Sequence, residues 1–467
     1  MKKQAFNPYL PSWEYIPDGE PYVFGDRVYV YGSHDFFNGY VFCMGDYMGW
    51  SAPVEDLSDW RCEGVIYPRN ADPINADGRM CLYAPDVTRG PDGRYYLYYV
   101  YDKVGIVSVA VCDSPAGRYQ FLGYVHYKDG TRLGERPGDE PQFDPGVLTE
   151  GDKTYLYTGF CGHGDKSRHG AMCTVLGPDM VTVEEGPVFV APGAMYAAGT
   201  GYEGHAFFEA SSIRKRGDTY YFVYSSQVMH ELCYATAKDP RRPFQYGGVI
   251  VSNCDVGVSS YKPADLPSAP GGNNHGSIVE IGGQWYVFYH RQTNGTWYSR
   301  QGCAEPIFFD EKGNIRQAEI TSRGLNGGPL RDEGEYPAYI ACHLFNTKHP
   351  FLYSGDVPGM PKIMQDGRDG DKDAAYIFGI NDGTVIGFKD FDFRSAKALS
   401  VWIRGYTQGT IDIKTKWDGE PLASIPLHNS NLWEKYTAPV PFPRGVHTLY
   451  LCYRGPSAPS LRSIAFE

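Results

Sequence analysis

What is scarce in this sequence narrows it first. The eleven cysteines are scattered from Cys43 to Cys452 and never stand as a CxxC pair, which argues against a zinc ribbon or a compact disulfide framework and suits reduced, mostly buried thiols. No apolar run is long enough to span a bilayer. Near the amino terminus Pro8 and Pro11 interrupt the stretch that a secretory leader would keep apolar, so the expectation is a cytoplasmic protein without membrane contact. Basic charge is short as well: 43 Lys and Arg face 55 Asp and Glu, a net charge of -12, which makes nucleic acid or an anionic surface a poor partner and a neutral polar ligand an easier one. Long segments with the i, i+3, i+4, i+7 apolar spacing of a helix are also missing.

What is abundant points to strands and turns. Gly 56 and Pro 34 make up about a fifth of the 467 residues, and Tyr 38 and Phe 24 make the chain rich in aromatics. One pattern recurs five times: "GDRVYVYGS", "DGRYYLYYV", "GDKTYLYTG", "GDTYYFVYS" and "GGQWYVFYH". Each is a glycine turn followed by alternating aromatic and aliphatic residues, the signature of the second strand of a hairpin. Tyr29, Tyr96, Tyr155, Tyr221 and Tyr286 form one column at spacings of 67, 59, 66 and 65 residues. A period of that length holds four strands with their loops, so the repeat predicts five four-stranded sheets arranged as a five-bladed β-propeller.

Upstream of each tyrosine stands an ionisable residue: Asp18, Asp86, Asp144, Glu209 and His275, at offsets of 11, 10, 11, 12 and 11 residues. Any single Asp in "PDG" or "DPG" is a routine turn former. Recurrence in register is not required by turn chemistry, and it places four carboxyls and an imidazole at the mouth of one funnel. Glu209 follows two phenylalanines in "HAFFEASSIRK", where Phe207 or Phe208 would wall it and raise its pKa. His275 reads equally as a structural histidine, a neighbour of a bound cation or water, or an acid/base group. Arg291 in "YHRQTN" and Arg300 in "YSRQGCAEP" are candidates for fixing sugar hydroxyls or steering a carboxylate. Carboxyls in an aromatic cleft, without a serine-nucleophile motif, P-loop or dinucleotide fingerprint, point to glycoside hydrolysis.

At these residues the chain resembles glycoside hydrolase family 43. The likeness spans about residues 5 to 325 and rests on "IPDGEP", "APDV" at 84 to 87, "FDPGVL" at 143 to 148, "FFEASS" at 207 to 212 and "NNHGSIVE" at 273 to 280. The resemblance implies a five-bladed propeller and inversion of configuration. Asp18 is then the general base, Glu209 the general acid, and Asp144 the carboxylate that tunes and orients the acid. Asp86 takes a supporting or substrate-side role. His275 looks like the family's axial histidine, associated in some members with a structural calcium ion or its waters, and no cofactor is required for turnover. Gly19 follows Asp18 where the family often has proline, and Glu20 offers a second carboxyl two residues on. "YVYGSHD" and "SRQGCAEPI" look most like β-xylosidase and α-L-arabinofuranosidase members, with short oligosaccharides as substrates. An endo-arabinanase, an exo-galactanase and a non-catalytic sugar-binding propeller remain as alternatives.

Residues 326 to 335 read as a linker, which leaves 1 to 325 as the propeller. From 336 to 467 the strands "AAYIFGINDGTVIGFKDFDF", "LSVWIRGYTQGTIDIKT" and "GVHTLYLCYRG" have sandwich spacing, and they resemble carbohydrate-binding modules of family 6, a jelly-roll-like β-sandwich. Trp433 reads as a core residue, with sugar stacking as the second reading. No oligomeric state follows from these patterns.

Overall fold

A computed structural model of the chain describes residues 3–349 and 359–467; Met1 and Lys2, at the head of the stretch weighed above for a leader, lie outside it. The described chain is built of strands with short 3-10 turns. Among the described residues no helix is long and apolar enough to cross a membrane.

Among the described residues five antiparallel sheets follow one another along the chain, and two largely antiparallel sheets with interleaved strands come after them. Sheet I begins with Glu20–Phe24, sheet II with Asp86–Arg89, sheet III with Gly146–Glu150, sheet IV with Phe207–Arg216 and sheet V with Ser277–Ile281. In each, the next strand in sequence pairs beside the first, and it carries the column tyrosine: Arg27–Tyr31, Tyr95–Tyr99, Lys153–Thr158, Thr219–Ser226 and Gln284–Arg291. The glycines of the recurring turn sit where the hairpin needs them. Phe24 pairs with Arg27, Glu150 with Lys153 and Arg216 with Thr219 across two-residue loops, and Gly25, Gly151 and Gly217 take φ of 65°, 63° and 61°, a conformation that suits such loops and costs glycine little.

Alternation along these second strands explains why they read as unbroken aromatic runs. Leu97 and Tyr99 join a core shared with Tyr31 and Tyr67 of sheet I, whereas Tyr96 and Tyr98 point the other way, into a core shared with Leu156 and Leu176 of sheet III. Phe222 and Tyr224 likewise pack toward sheet III, while Tyr221 and Val223 pack toward sheet V. Val28 and Val30 of sheet I meet Phe288 and Ala304 of sheet V in a further shared core. Both faces of each sheet are therefore buried against its neighbours, so a period-two strand shows apolar residues at every position.

Sheets I to IV have four strands, as the repeat predicts, but sheet V has three. Beyond Gln301–Ile307 the chain crosses instead to the last strand of sheet IV, where the Ala318 N–H donates to the Ile250 carbonyl at 2.8 Å. The vacated edge of sheet V is covered by the amino-terminal segment: the Tyr9 N–H donates to the Gly302 carbonyl at 3.2 Å, and the Asn7 side chain bonds the backbone of Ala304 in both directions at 2.9 Å.

Two six-stranded sheets follow, and they share one core that includes Phe388, Phe391, Val401, Ile403, Leu449 and Ile464. The stretch read as a linker is not free. Leu330–Arg331 and Gly334–Pro337 are edge strands of these two sheets, because Leu330 and Tyr336 supply buried apolar surface to the shared core. Trp433 is outside that core. It is half-buried between the guanidinium groups of Arg404 and Arg462, at 4.4 and 5.4 Å from its ring, with Tyr376 edge-on at 5.5 Å.

Candidate active site

The first strands of successive sheets bring the upstream residues to one place. Asp18, Asp144 and His275 each stand two residues before the first strand of their sheet, and Glu209 is the third residue of its own. Side chains of all four line one cavity of about 230 Å³, together with Phe42, Cys43, Tyr83, Ala84, Phe143, Phe160, Asn273 and Arg300.

The backbone there is unusual. Asp18, Cys43, Asp144 and Ala210 take φ of 57°, 59°, 43° and 67°, a left-handed region that non-glycine residues seldom occupy and that tends to gather at functional sites. In Phe207–Arg216 the pairing with Thr219–Ser226 slips twice, between Phe207 and Glu209 and again between Glu209 and Ser212. A bulge of this kind re-aims side chains. Glu209 turns into the cavity, while the Ala210 N–H is freed to donate to Asp144 Oδ2 at 3.1 Å. Gly146 lets the two strands approach, since a Cβ there would lie 2.4 Å from the Ser211 carbonyl oxygen.

The carboxyls sit in different electrostatic settings. Asp18 is buried, which alone would raise its pKa, but Arg300 donates to Asp18 Oδ1 at 2.9 Å and holds the carboxyl well below the usual range. Arg300 is itself fixed by Asp35, with Nε to Oδ2 at 2.7 Å and Nη2 to Oδ1 at 3.1 Å. His290 lies beneath Asp18 as a neutral ring. Its Nε2 is 2.7 Å from the Asn273 carbonyl oxygen, and its Nδ1 is 3.3 Å from both the Asp18 backbone nitrogen and Asp18 Oδ1. Glu209 is pushed up to about 7, first by burial and then by the negative charge of Asp18, against the pull of Arg300. Asp144 is raised in the same direction by burial and then by Glu209 and Asp18, and the closely placed carboxyls titrate together. Burial lowers His275 to about 4, so its ring is neutral, with Nδ1 3.9 Å from Asp18 Oδ1 and 3.7 Å from Asp144 Oδ2.

Three predicted site residues do not line the cavity. Asp86 is the first residue of its strand and occupies the register position of Glu20, two residues past that of Asp18, Asp144 and His275, because the turn between Arg89 and Tyr95 is longer than the two-residue loops and shifts the count from the tyrosine. It faces the inter-sheet interior, accepting from Tyr22 Oη, the Val87 N–H and the Val147 N–H, each at 2.7 Å, and Ala84 takes the cavity position. Phe207 belongs to the core between sheets III and IV. Regular alternation puts it on the side of Glu209, and the bulge separates them. Arg291 donates to the Ala341 and Cys342 carbonyls at 3.5 and 2.8 Å, so it ties sheet V to the carboxy-terminal sheets. Glu20, the second carboxyl of the opening loop, is paired with Arg214 at 2.6 Å and is likewise outside the cavity lining. The apolar wall comes instead from Phe143 and Phe160, whose rings lie 5.3 Å apart, and from Tyr83 and Phe42. Sequence reasoning missed these, along with Asp35, His290 and Asn273. Asp35 ends the quoted "YVYGSHD" and Phe143 precedes Asp144, so adjacency to the motifs was the available signal.

Comparison with known proteins places this geometry. Residues 25–315 match the sequence model of Glycosyl hydrolases family 43. The chain is 63% identical, over 99% of its own length and 99% of the relative's, to a xylosidase/arabinosidase of Thermoclostridium stercorarium. A xylosidase/arabinosidase of Bacteroides ovatus is 30% identical over 60% of this chain and 87% of that one. Among solved structures, a family 43 β-xylosidase/α-arabinofuranosidase from a compost microbial metagenome, in complex with xylotriose and in a calcium-free form, superposes with a TM-score of 0.53 at 26% identity, covering 68% of this chain and 98% of that one. A family 43 arabinoxylan arabinofuranohydrolase from Bacillus subtilis, in complex with cellotetraose, covers 98% of this chain and 97% of its own at a TM-score of 0.54 and 21% identity, a likeness of fold.

Proposed function

The chain belongs to family 43 of the glycosyl hydrolases, and from that premise we propose that it is an exo-acting, inverting enzyme that removes terminal xylose or arabinofuranose from short hemicellulose oligosaccharides. The observation that carries this reading is the opposite ionisation of two carboxyls in one cavity, Asp18 held ionised by Arg300 and Glu209 raised to about 7. A cavity of about 230 Å³ is smaller than the roughly 300–1,000 Å³ of clefts for drug-sized ligands, which suits one terminal sugar ring and favours exo over endo action. The relatives named above for xylose and arabinose release support the substrate class.

In this reading the Asp18 carboxylate takes a proton from a water molecule as its oxygen bonds to the anomeric carbon, and the Glu209 carboxyl gives its proton to the departing glycosidic oxygen as that bond breaks. Solvent then returns the proton from Asp18 to Glu209. Asp144, bound to the N–H of the residue after Glu209, sets the pKa and aim of the acid. Phe143, Phe160 and Tyr83 offer apolar faces to the sugar ring and exclude water.

The five amino-terminal sheets are read here as the blades of a five-bladed propeller, and the two last as a β-sandwich of the carbohydrate-binding-module type. Calcium takes six to eight oxygen ligands. Around His275 two carboxylate oxygens stand 3.7 and 3.9 Å from the ring nitrogen, and the grouping of three ligand atoms found among the described residues lies elsewhere. The residues present do not form a calcium cage, and no step of the reaction is routed through one. The test is the release of sugar from p-nitrophenyl β-xyloside and α-L-arabinofuranoside with NMR of the first product: an inverted anomer is expected, and a retained one would overturn the reading.

A further inference from the structure

At sheet IV, outside the cavity lining, three potential ligands meet that the reaction does not use. Glu231 and Cys233 are the first and third residues of Glu231–Ala237 and so share a face of the strand. His205 reaches them from the segment leading into Phe207–Arg216, its carbonyl held by Tyr224 Oη at 2.8 Å. The ring nitrogen, a carboxylate oxygen and Sγ all lie within 4.8 Å of one another. Glu231 Oε1 receives three donors: His205 Nδ1 at 2.6 Å, Ser226 Oγ at 2.6 Å and the Cys233 thiol at 3.5 Å. Three hydrogens converge on one oxygen, and the thiol is left with the longest contact.

We propose that His205, Glu231 and Cys233 form a binding site for a thiophilic divalent cation of the zinc type. One nitrogen, one carboxylate oxygen and one sulfur make a borderline-soft set that suits zinc and is foreign to calcium or magnesium. Ligands about 2.0–2.1 Å from a tetrahedral centre stand roughly 3.3 Å apart, so the 2.6 Å contact between His205 and Glu231 has only to open slightly. The supporting contacts are in place: Ser226 holds the carboxylate, and the imidazole stacks on Tyr246 at 5.2 Å with an 11° tilt. Glu231 and Cys233 are buried, whereas the His205 side chain is 38% exposed, which gives a cation a path to the group from solvent. On binding, the S–H bond breaks as the sulfur–metal bond forms and its proton passes to water. The imidazole proton shared with Glu231 is displaced as well, so binding weakens as pH falls.

The test is titration of the full-length, metal-stripped protein with Co²⁺, followed by displacement with Zn²⁺. One equivalent per chain is expected, with a thiolate-to-cobalt charge-transfer band and the d–d absorption of a four-coordinate site. Cys233→Ala should abolish the band. Because Cys233 is buried in the core and its replacement also tests folding, His205→Gln at the half-exposed position provides the second arm, and it should weaken binding beyond the roughly 10–100-fold that loss of a supporting contact costs. Absence of the charge-transfer band in the parent protein, or an unchanged band in a folded His205→Gln variant, would overturn the proposal.

Discussion

Replacing Glu209 by Gln removes the proposed proton donor and leaves water activation intact. Aryl glycosides, whose phenolate leaves with little protonation, should therefore keep most of their rate while xylobiose hydrolysis collapses. Asp18→Asn should harm both substrates alike, by roughly a hundredfold or more, as loss of a general base does. Steady-state rates on the two substrate classes check this, and equal damage in the Glu209 variant would assign the acid elsewhere. The pH profile follows from the same neighbours. Glu209 must be protonated, so kcat/KM should hold below about pH 7 and fall as pH rises through it. Asp18 is held well below the ordinary carboxylate range, so it sets no limb near neutrality. Asp144→Asn removes the carboxyl with which Glu209 titrates as a pair, which makes the Glu209 carboxylate easier to form, and the basic limb should move to lower pH. A limb that stays in place would belong to another group.

At the scale of the element, the bulge in Phe207–Arg216 is what turns a strand glutamate into a cavity residue. Ala210→Gly should keep the bulge and the activity, because glycine accepts a φ of 67°. Ala210→Val puts a β-branched side chain in that region and should cost about 1–3 kcal/mol, measured by urea denaturation, with a fall in kcat as Glu209 and Asp144 lose their shared anchor. The same element shows where the sequence was legible and where it was not. The tyrosine column and its turns gave the second strand of all five amino-terminal sheets, because turn chemistry and alternation are local. Asp18, Asp144, Glu209 and His275, whose offsets nearly repeat, line one cavity. Phe207 and Asp86 were misplaced because a bulge re-aims one side chain and a longer turn shifts the register of the other, and neither leaves a mark in composition. Phe42, Tyr83 and Phe160 arrive from loops whose positions depend on packing, which a single sequence does not encode locally.

For the whole molecule, the contacts between sheet V and the carboxy-terminal sheets are buried and specific. Besides the Arg291 bonds, the Ile363 N–H donates to the Thr293 carbonyl at 2.9 Å, and in the segment leading into sheet V the Ser268 carbonyl accepts from the Leu344 N–H at 2.8 Å. Arg291→Ala should then lower stability by about 1–3 kcal/mol, as loss of buried hydrogen bonds does, and leave KM unchanged because the residue is outside the cavity lining. Denaturation midpoints and Michaelis curves measured on one preparation check both halves, and a raised KM at full stability would return Arg291 to the substrate. The three-stranded sheet V carries a further consequence. Its open edge is filled by the segment around Asn7 and Tyr9, and the salt bridge that ionises Asp18 spans 282 residues to Arg300. A ribosome adding about 5–20 residues per second needs between about 14 and 56 seconds to make that distance. For that interval Asp18 waits on the nascent chain without its partner, and the enzyme becomes competent only after sheet V has been made.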